Sequence, residues 1–190
     1  MTRPFIRLTL VALALTLNAC HGSQFEYSGQ GCYLVIDNAT HQDATLASAM
    51  TPYSNVFVTI TQTLHGGASY FHFASNQGGT PTESIFNAID KRRSVIIGMN
   101  GGLIVGYGSL SDPLTFYAFD RECPNCFDSN QLPVRSYPLQ TASNGIATCA
   151  TCKRKYDLNN GGIIVQGDQG SKLTRYHAQT YGPYGVLSVH

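Results

Sequence analysis

Charged side chains are scarce, at 12% of 190 residues against roughly 25% in ordinary domains. The two signs also balance, with 12 Lys and Arg against 11 Asp and Glu. The chain therefore offers no electrostatic footprint for nucleic acid or for an anionic membrane surface. Its apolar run at residues 8–17 is too short to span a bilayer as a mature helix. There is no Gly-x-Ser-x-Gly elbow. The histidines His21, His41, His65, His177 and His190 are scattered and read as polar surface or loop residues. Hydrolytic and Cys-His chemistry thus find no support.

What is plentiful is Gly, Ser, Thr, Asn and Tyr, a mixture that suits short strands joined by many turns. The length fits one domain with a single core. At the N-terminus, Arg3 and Arg7 precede the apolar run, and Leu17-Asn18-Ala19-Cys20 follows it at once. This tetrapeptide resembles a bacterial lipobox, so residues 1–19 read as a lipoprotein signal peptide and Cys20 as the lipidated first residue of an exported, membrane-anchored protein of the cell envelope. An ordinary secretory signal cleaved near Ala19 is the other reading, and it too exports the chain. Residues 20–31 then form a polar tether, and 32–190 a single domain.

Along that domain, residues 32–36 read as a buried first strand with Cys32 as a small core residue. Residues 39–55 are irregular, with one helical turn near 46–50. Residues 56–63 and 70–73 form a hairpin around Gly66-Gly67, with His72 half-exposed on a strand. Thr80-Pro81-Thr82-Glu83 reads as a helix start, with Thr80 as N-cap and Glu83 closing a capping box. Ile85, Phe86 and Ile89 then share a face, and Lys91-Arg92-Arg93 closes the helix. Residues 94–99 and 103–107 flank Asn100-Gly101 as a second hairpin, and 116–119 form a strand that leads into the cysteines.

Four of those cysteines form two knuckles, Cys123-Pro-Asn-Cys126 and Cys149-Ala-Thr-Cys152, separated by 22 residues. A Cys-x2-Cys turn puts two thiolates on one side, and a second knuckle completes a tetrahedron around one metal. Two disulfides are the alternative in an exported protein. Thiol–disulfide exchange is disfavoured, because a strand-like segment and a Gly turn rather than a helix follow Cys149-Ala-Thr-Cys152, and two matched knuckles are one too many for a reactive pair. Such a site suits zinc, mononuclear iron or an all-Cys iron–sulfur cluster, and softness alone does not choose among them. Arg121, Lys153, Arg154 and Lys155 either offset the charge of the site or line a solvated loop. Knuckle N–H groups are available to the sulfurs.

From about residue 94 onward the order of motifs resembles a Rieske-type domain. Tyr117-Ala-Phe-Asp-Arg-Glu-Cys123-Pro-Asn-Cys126 stands where that family has its first cluster loop. Cys149-Ala-Thr-Cys152-Lys-Arg-Lys-Tyr156-Asp157, followed by Gly161-Gly162, stands at the second. Residues 163–167 and 173–176 resemble its closing strands. The resemblance implies an all-β fold of antiparallel sheets, with an inserted zinc-ribbon or rubredoxin-like metal-loop subdomain, loops at 120–127 and 147–158, and one short helix. It also implies a [2Fe-2S] cluster on Cys123, Cys126, Cys149 and Cys152 and an electron-transfer role with an unidentified redox partner. Both family histidines are replaced here, Cys152 standing for the second and Asn125 or Cys126 for the first. Four thiolates leave an oxidised two-iron core at a charge of −2, so its potential would sit nearer the roughly −400 mV of plant-type ferredoxins than that of a Rieske centre. The resemblance favours the cluster; the knuckle spacing alone favours a single Zn ion that staples two loops of a binding module. In either case Tyr156 packs beneath the metal loop and Asp157 accepts turn N–H bonds.

Overall fold

The computed structural model describes residues 26–29, 31–110 and 112–190. The expected signal peptide and Cys20 lie outside the described residues, among which no helix is long and apolar enough to cross a membrane. The fold is mostly β, as expected, and its sheets are antiparallel.

β1 (Leu34–Asp37) leads into two short helices, α1 (Asn38–His41) and α2 (Ala44–Ala49). Each helix is capped by an aspartate. Asp37 accepts from the N–H of Ala39, and Asp43 accepts from that of Leu46. The expected turn near 46–50 is thus α2, one helix in a pair. The long strands β2 (Phe57–His65) and β3 (Ala68–Ser75) form the expected hairpin. Its turn residues Gly66 and Gly67 have φ of 59° and 76°, the left-handed conformation that a two-residue hairpin turn asks of both centres.

β4 (Thr82–Ile85) then adds to the edge of β3. This overturns the helix expected from Thr80. The carboxylate meant to close the capping box is committed across the sheet, where Glu83 accepts from Thr63 Oγ1 at 2.9 Å and meets His65 Nε2 at 2.9 Å. Phe86 is buried against Phe71 with ring centroids 4.1 Å apart. A local cap of about 1 kcal/mol does not outweigh an aromatic burial and a strand pairing. Of the expected helix only a 3₁₀ turn, Asp90–Arg92, remains.

The second expected hairpin also fails. β5 (Gly102–Tyr107) pairs with β2 and with β6 (Phe116–Asp120), while Ile96 makes an isolated bridge to Tyr33. Gly98, at φ 62°, turns the chain so that the Met99 N–H donates to Asp120 Oδ2 at 2.7 Å. A Cβ on Gly98 would lie 2.5 Å from that same oxygen, so the turn needs glycine for space as well as for φ.

Four consecutive strands follow as a separate sheet: β7 (Leu139–Thr141), β8 (Ile146–Cys149), β9 (Lys155–Asp157) and β10 (Ile163–Gln166), in spatial order β10-β9-β8-β7. β11 (Arg175–Tyr176) returns to the edge of β6, completing a sheet ordered β11-β6-β5-β2-β3-β4. β12 (Ala178–Thr180) and β13 (Val186–Val189) join β1 in a third sheet, ordered β1-β13-β12.

The six-stranded sheet is the middle layer, and its alternation sorts side chains between two cores. Val58, Ile60, Phe71, Leu103, Val105 and Ala118 face Leu34, Ile36, Leu187 and Val189 of the three-stranded sheet. Phe57, Ile104, Tyr117 and Phe119 face the opposite way, against Leu139, Ala147, Tyr156 and Leu158 of the small sheet. β5 is accordingly buried on both faces. The second core is what holds the cysteine loops in place.

Candidate metal centre

β6 runs directly into the first knuckle and β8 into the second, so each loop starts from a strand packed in the second core. The first knuckle closes with Cys126 N–H and Phe127 N–H donating to Cys123 O, at 3.1 and 2.9 Å. The second closes with Lys153 N–H donating to Cys149 O at 3.0 Å, Lys153 sitting at φ 63°.

These turns bring all four predicted sulfurs together. The Sγ atoms of Cys123, Cys126, Cys149 and Cys152 lie within 4.8 Å of one another. Across the knuckles, Cys123 and Cys152 are 3.7 Å apart and Cys126 and Cys149 3.8 Å. All four are free thiols rather than two disulfides. Cys123 and Cys149 are buried, whereas Cys126 and Cys152 are partly exposed. A metal bonded to sulfur at about 2.3 Å sets tetrahedral edges of about 3.8 Å, so the quartet fits one ion. The fold brings together the four cysteines expected as ligands, a group that could hold a metal ion.

The surroundings are built for sulfur. Asn125 N–H donates to Cys123 and Arg154 N–H to Cys152, so each knuckle supplies the expected backbone donor. Burial, with Cys149 adding to it, pushes the Cys123 thiol up to about 11 against the pull of the Tyr156 hydroxyl and the Asn125 N–H. Burial and the neighbouring Cys152 raise Cys126 as well. At Cys152 burial is outweighed by the backbone and guanidinium of Arg154 and by the thiols of Cys126 and Cys149, which bring it down to about 6.

Of the basic residues considered, Arg154 is therefore the one at the sulfurs. Its guanidinium also donates to the carbonyls of Asp168 and Gln169, both at 3.0 Å, tying the second knuckle to the loop after β10. Lys153 is exposed to solvent. Arg121 lies across Gly102 of β5.

Three residues complete the centre. Tyr156 is fully buried, with its hydroxyl 3.3 Å from Cys123 Sγ. Asn125 donates through Nδ2 to that hydroxyl at 2.9 Å and to Ser171 O at 2.8 Å. Asp157 Oδ1 accepts from Asn159 N–H, as expected of a turn carboxylate. Glu122 is a buried group that the sequence did not flag. Asn100 Nδ2, Ser136 Oγ and the Tyr137 N–H all donate to it, which fixes the loop between the knuckles.

His41 departs from its expected place at the surface. Its side chain is 2% exposed, with Nδ1 2.7 Å from Ser84 Oγ and Nε2 3.1 Å from Asp90 Oδ2, off the hydrogen-bond axis. Serine, histidine and aspartate do meet here, contrary to the sequence expectation. The ring, however, stands edge-on to Phe71, and Asp90 Oδ2 is also spent on the Asn87 N–H. Through its contacts with Ser84 and Asp90 the enclosed ring clamps β4 to the 3₁₀ turn. The pairing of positions 41, 84 and 90 has no local sequence signal. Finally, part of the expected tether is docked: Glu26 pairs with Arg175 at 2.8 Å, and Tyr27 stacks on His177.

Comparison of the chain with protein-family models, with curated proteins and with solved structures returns no match in any of the three.

Proposed function

We propose that this is an exported protein anchored through a lipidated Cys20, whose Rieske-like domain carries one closed four-thiolate metal centre, with zinc as the ion and a structural role. One observation carries the reading: the four sulfurs lie within 4.8 Å of one another, with cross-knuckle pairs at 3.7 and 3.8 Å. A two-iron cluster holds two thiolates on each iron with the sulfide rhomb between them, which asks for a wider quartet than a single ion does. Four protein ligands leave no open position for substrate, the mark of a structural rather than a catalytic zinc. The Rieske-like reading draws on the small sheet inserted between β6 and β11, with the first knuckle following β6, the second at the end of β8, and Tyr156-Asp157 beside the second.

A second reading is a single iron in the same tetrahedron, serving as an electron carrier in the envelope with an unidentified redox partner. Its support is the partial exposure of Cys126 and Cys152, which brings the centre to the surface. Metal analysis with a visible spectrum on protein purified without air separates the cases. One zinc per chain and no colour supports the staple; one iron without labile sulfide supports the carrier. Iron and sulfide at two each would overturn the single-ion reading.

A further inference from the structure

The middle sheet carries a polar groove that the metal centre does not use. Past Phe57, the face of β2 and β3 that covers the second core extends beyond the small sheet. There Thr59 pairs with Ala74, and Thr61 with His72. A groove of about 410 Å³ lies between this face and the edge strand β7, walled by Thr59, Thr61, His72, Arg121, Gln140 and Thr141.

Arg121 reaches it across β5. The arginine stem lies over Gly102, where Arg121 Cδ would be 2.8 Å from any Cβ, and Gly102 is the cross-strand neighbour of Thr61. Glycine at this position is what admits the side chain. Arg121 Nε is buried with no hydrogen-bond partner, and no ion pair engages this guanidinium among the described residues.

The nearby carboxylates are committed elsewhere. Asp120 accepts from Met99 N–H, Glu122 N–H and the Tyr176 hydroxyl. Glu122 is held by Asn100, Ser136 and Tyr137. Glu83, opposite His72, is taken by Thr63 and His65. A partly desolvated guanidinium without a counter-anion is costly, and its planar fork matches two oxygens of a carboxylate or phosphate. The Thr59 hydroxyl is a further donor. Thr61 Oγ1 meets His72 Nδ1 at 3.4 Å, and with that hydroxyl donating to Nδ1 the hydrogen of His72 sits on Nε2, as the donor this pair offers a ligand.

We propose that this groove binds a small oxyanion, the carboxylate or phosphate group of a solute, with Arg121 as its cation and Thr59, Thr61 and His72 completing the shell. The test is calorimetric titration of the full chain with acetate, inorganic phosphate and sulfate, at ionic strength matched with chloride. Saturable one-to-one binding is expected for at least one probe, and the preferred probe identifies the source as carboxylate or phosphate. Arg121→Gln should weaken binding by about tenfold or more, with the metal-to-protein ratio unchanged. That ratio separates failure of this site from failure of the metal reading. Thr61→Val, which leaves the arginine packing intact, should weaken binding by about threefold or more, and it decides the matter if Arg121→Gln does not fold. Absence of saturable heat with all three probes, or wild-type affinity in the folded variants, would overturn the proposal.

Discussion

Tyr156 holds its hydroxyl 3.3 Å from Cys123 Sγ while accepting from Asn125 Nδ2 at 2.9 Å. Because the amide donates, the phenolic hydrogen is free to point at sulfur. Burial, and then the adjacent Cys123, raise the Tyr156 pKa, which keeps that hydrogen in place. Tyr156→Phe should keep the packing and lose this bond. Metal affinity should fall by about tenfold and stability by about 1 kcal/mol, measured by chelator competition and thermal melts. Unchanged affinity would mean that the hydroxyl only fills space.

Removing a ligand should cost far more. Cys149→Ser takes a buried sulfur ligand from the quartet, and under the proposed staple the second core loses the tie between β8 and the first knuckle. A loss of at least about 3 kcal/mol is expected, roughly 6–12 °C in melting temperature for a chain of this size. Chelation of the wild type should produce a similar drop. A variant with wild-type melting would show that metal does not staple these loops.

Metal affinity should rise with pH. The thiols of Cys123 and Cys126 are raised above their ordinary values, so between pH 6 and 8 both carry protons that a bound metal must displace. The logarithm of affinity should therefore climb by about two per pH unit or more. Cys152, brought down to about 6, takes up a proton below that point and should steepen the dependence further. Competition with a chromophoric chelator across this range measures the slope, and a flat profile would contradict the protonation states.

The His41 clamp should be energetically separate from the metal. His41→Ala removes an enclosed ring between Ser84 and Asp90 and exposes the flank of Phe71. A cost of about 2–3 kcal/mol is expected, with full metal content, because the clamp borders the first core and the cysteines the second. Loss of metal in this variant would show the two cores to be coupled.

Spacing alone made the quartet legible. A Cys-x2-Cys knuckle is local geometry, and so is the Gly66-Gly67 turn between two β-branched segments; both follow from backbone dihedrals within a few residues. Asp157 was readable for the same reason, being fixed by the turn that follows the second knuckle, whereas Tyr156 meets Cys123 across 33 residues of chain. The failures lie where a distant partner decides. Residues 80–86 carry a sound helix start, yet β3 offered an open edge and Phe71 a place for Phe86, and burial outweighed capping. Residues 94–101 carry a sound hairpin turn, yet β5 found β2 and β6 on either side, and Asp120 took the Met99 N–H. The sequence by itself determined which four sulfurs would form one group and that the fold would be β-rich. Only the tertiary structure decided that the quartet closes to single-ion dimensions, that His41 is buried, and that Arg121 lines a groove, because each depends on packing between segments far apart in the chain.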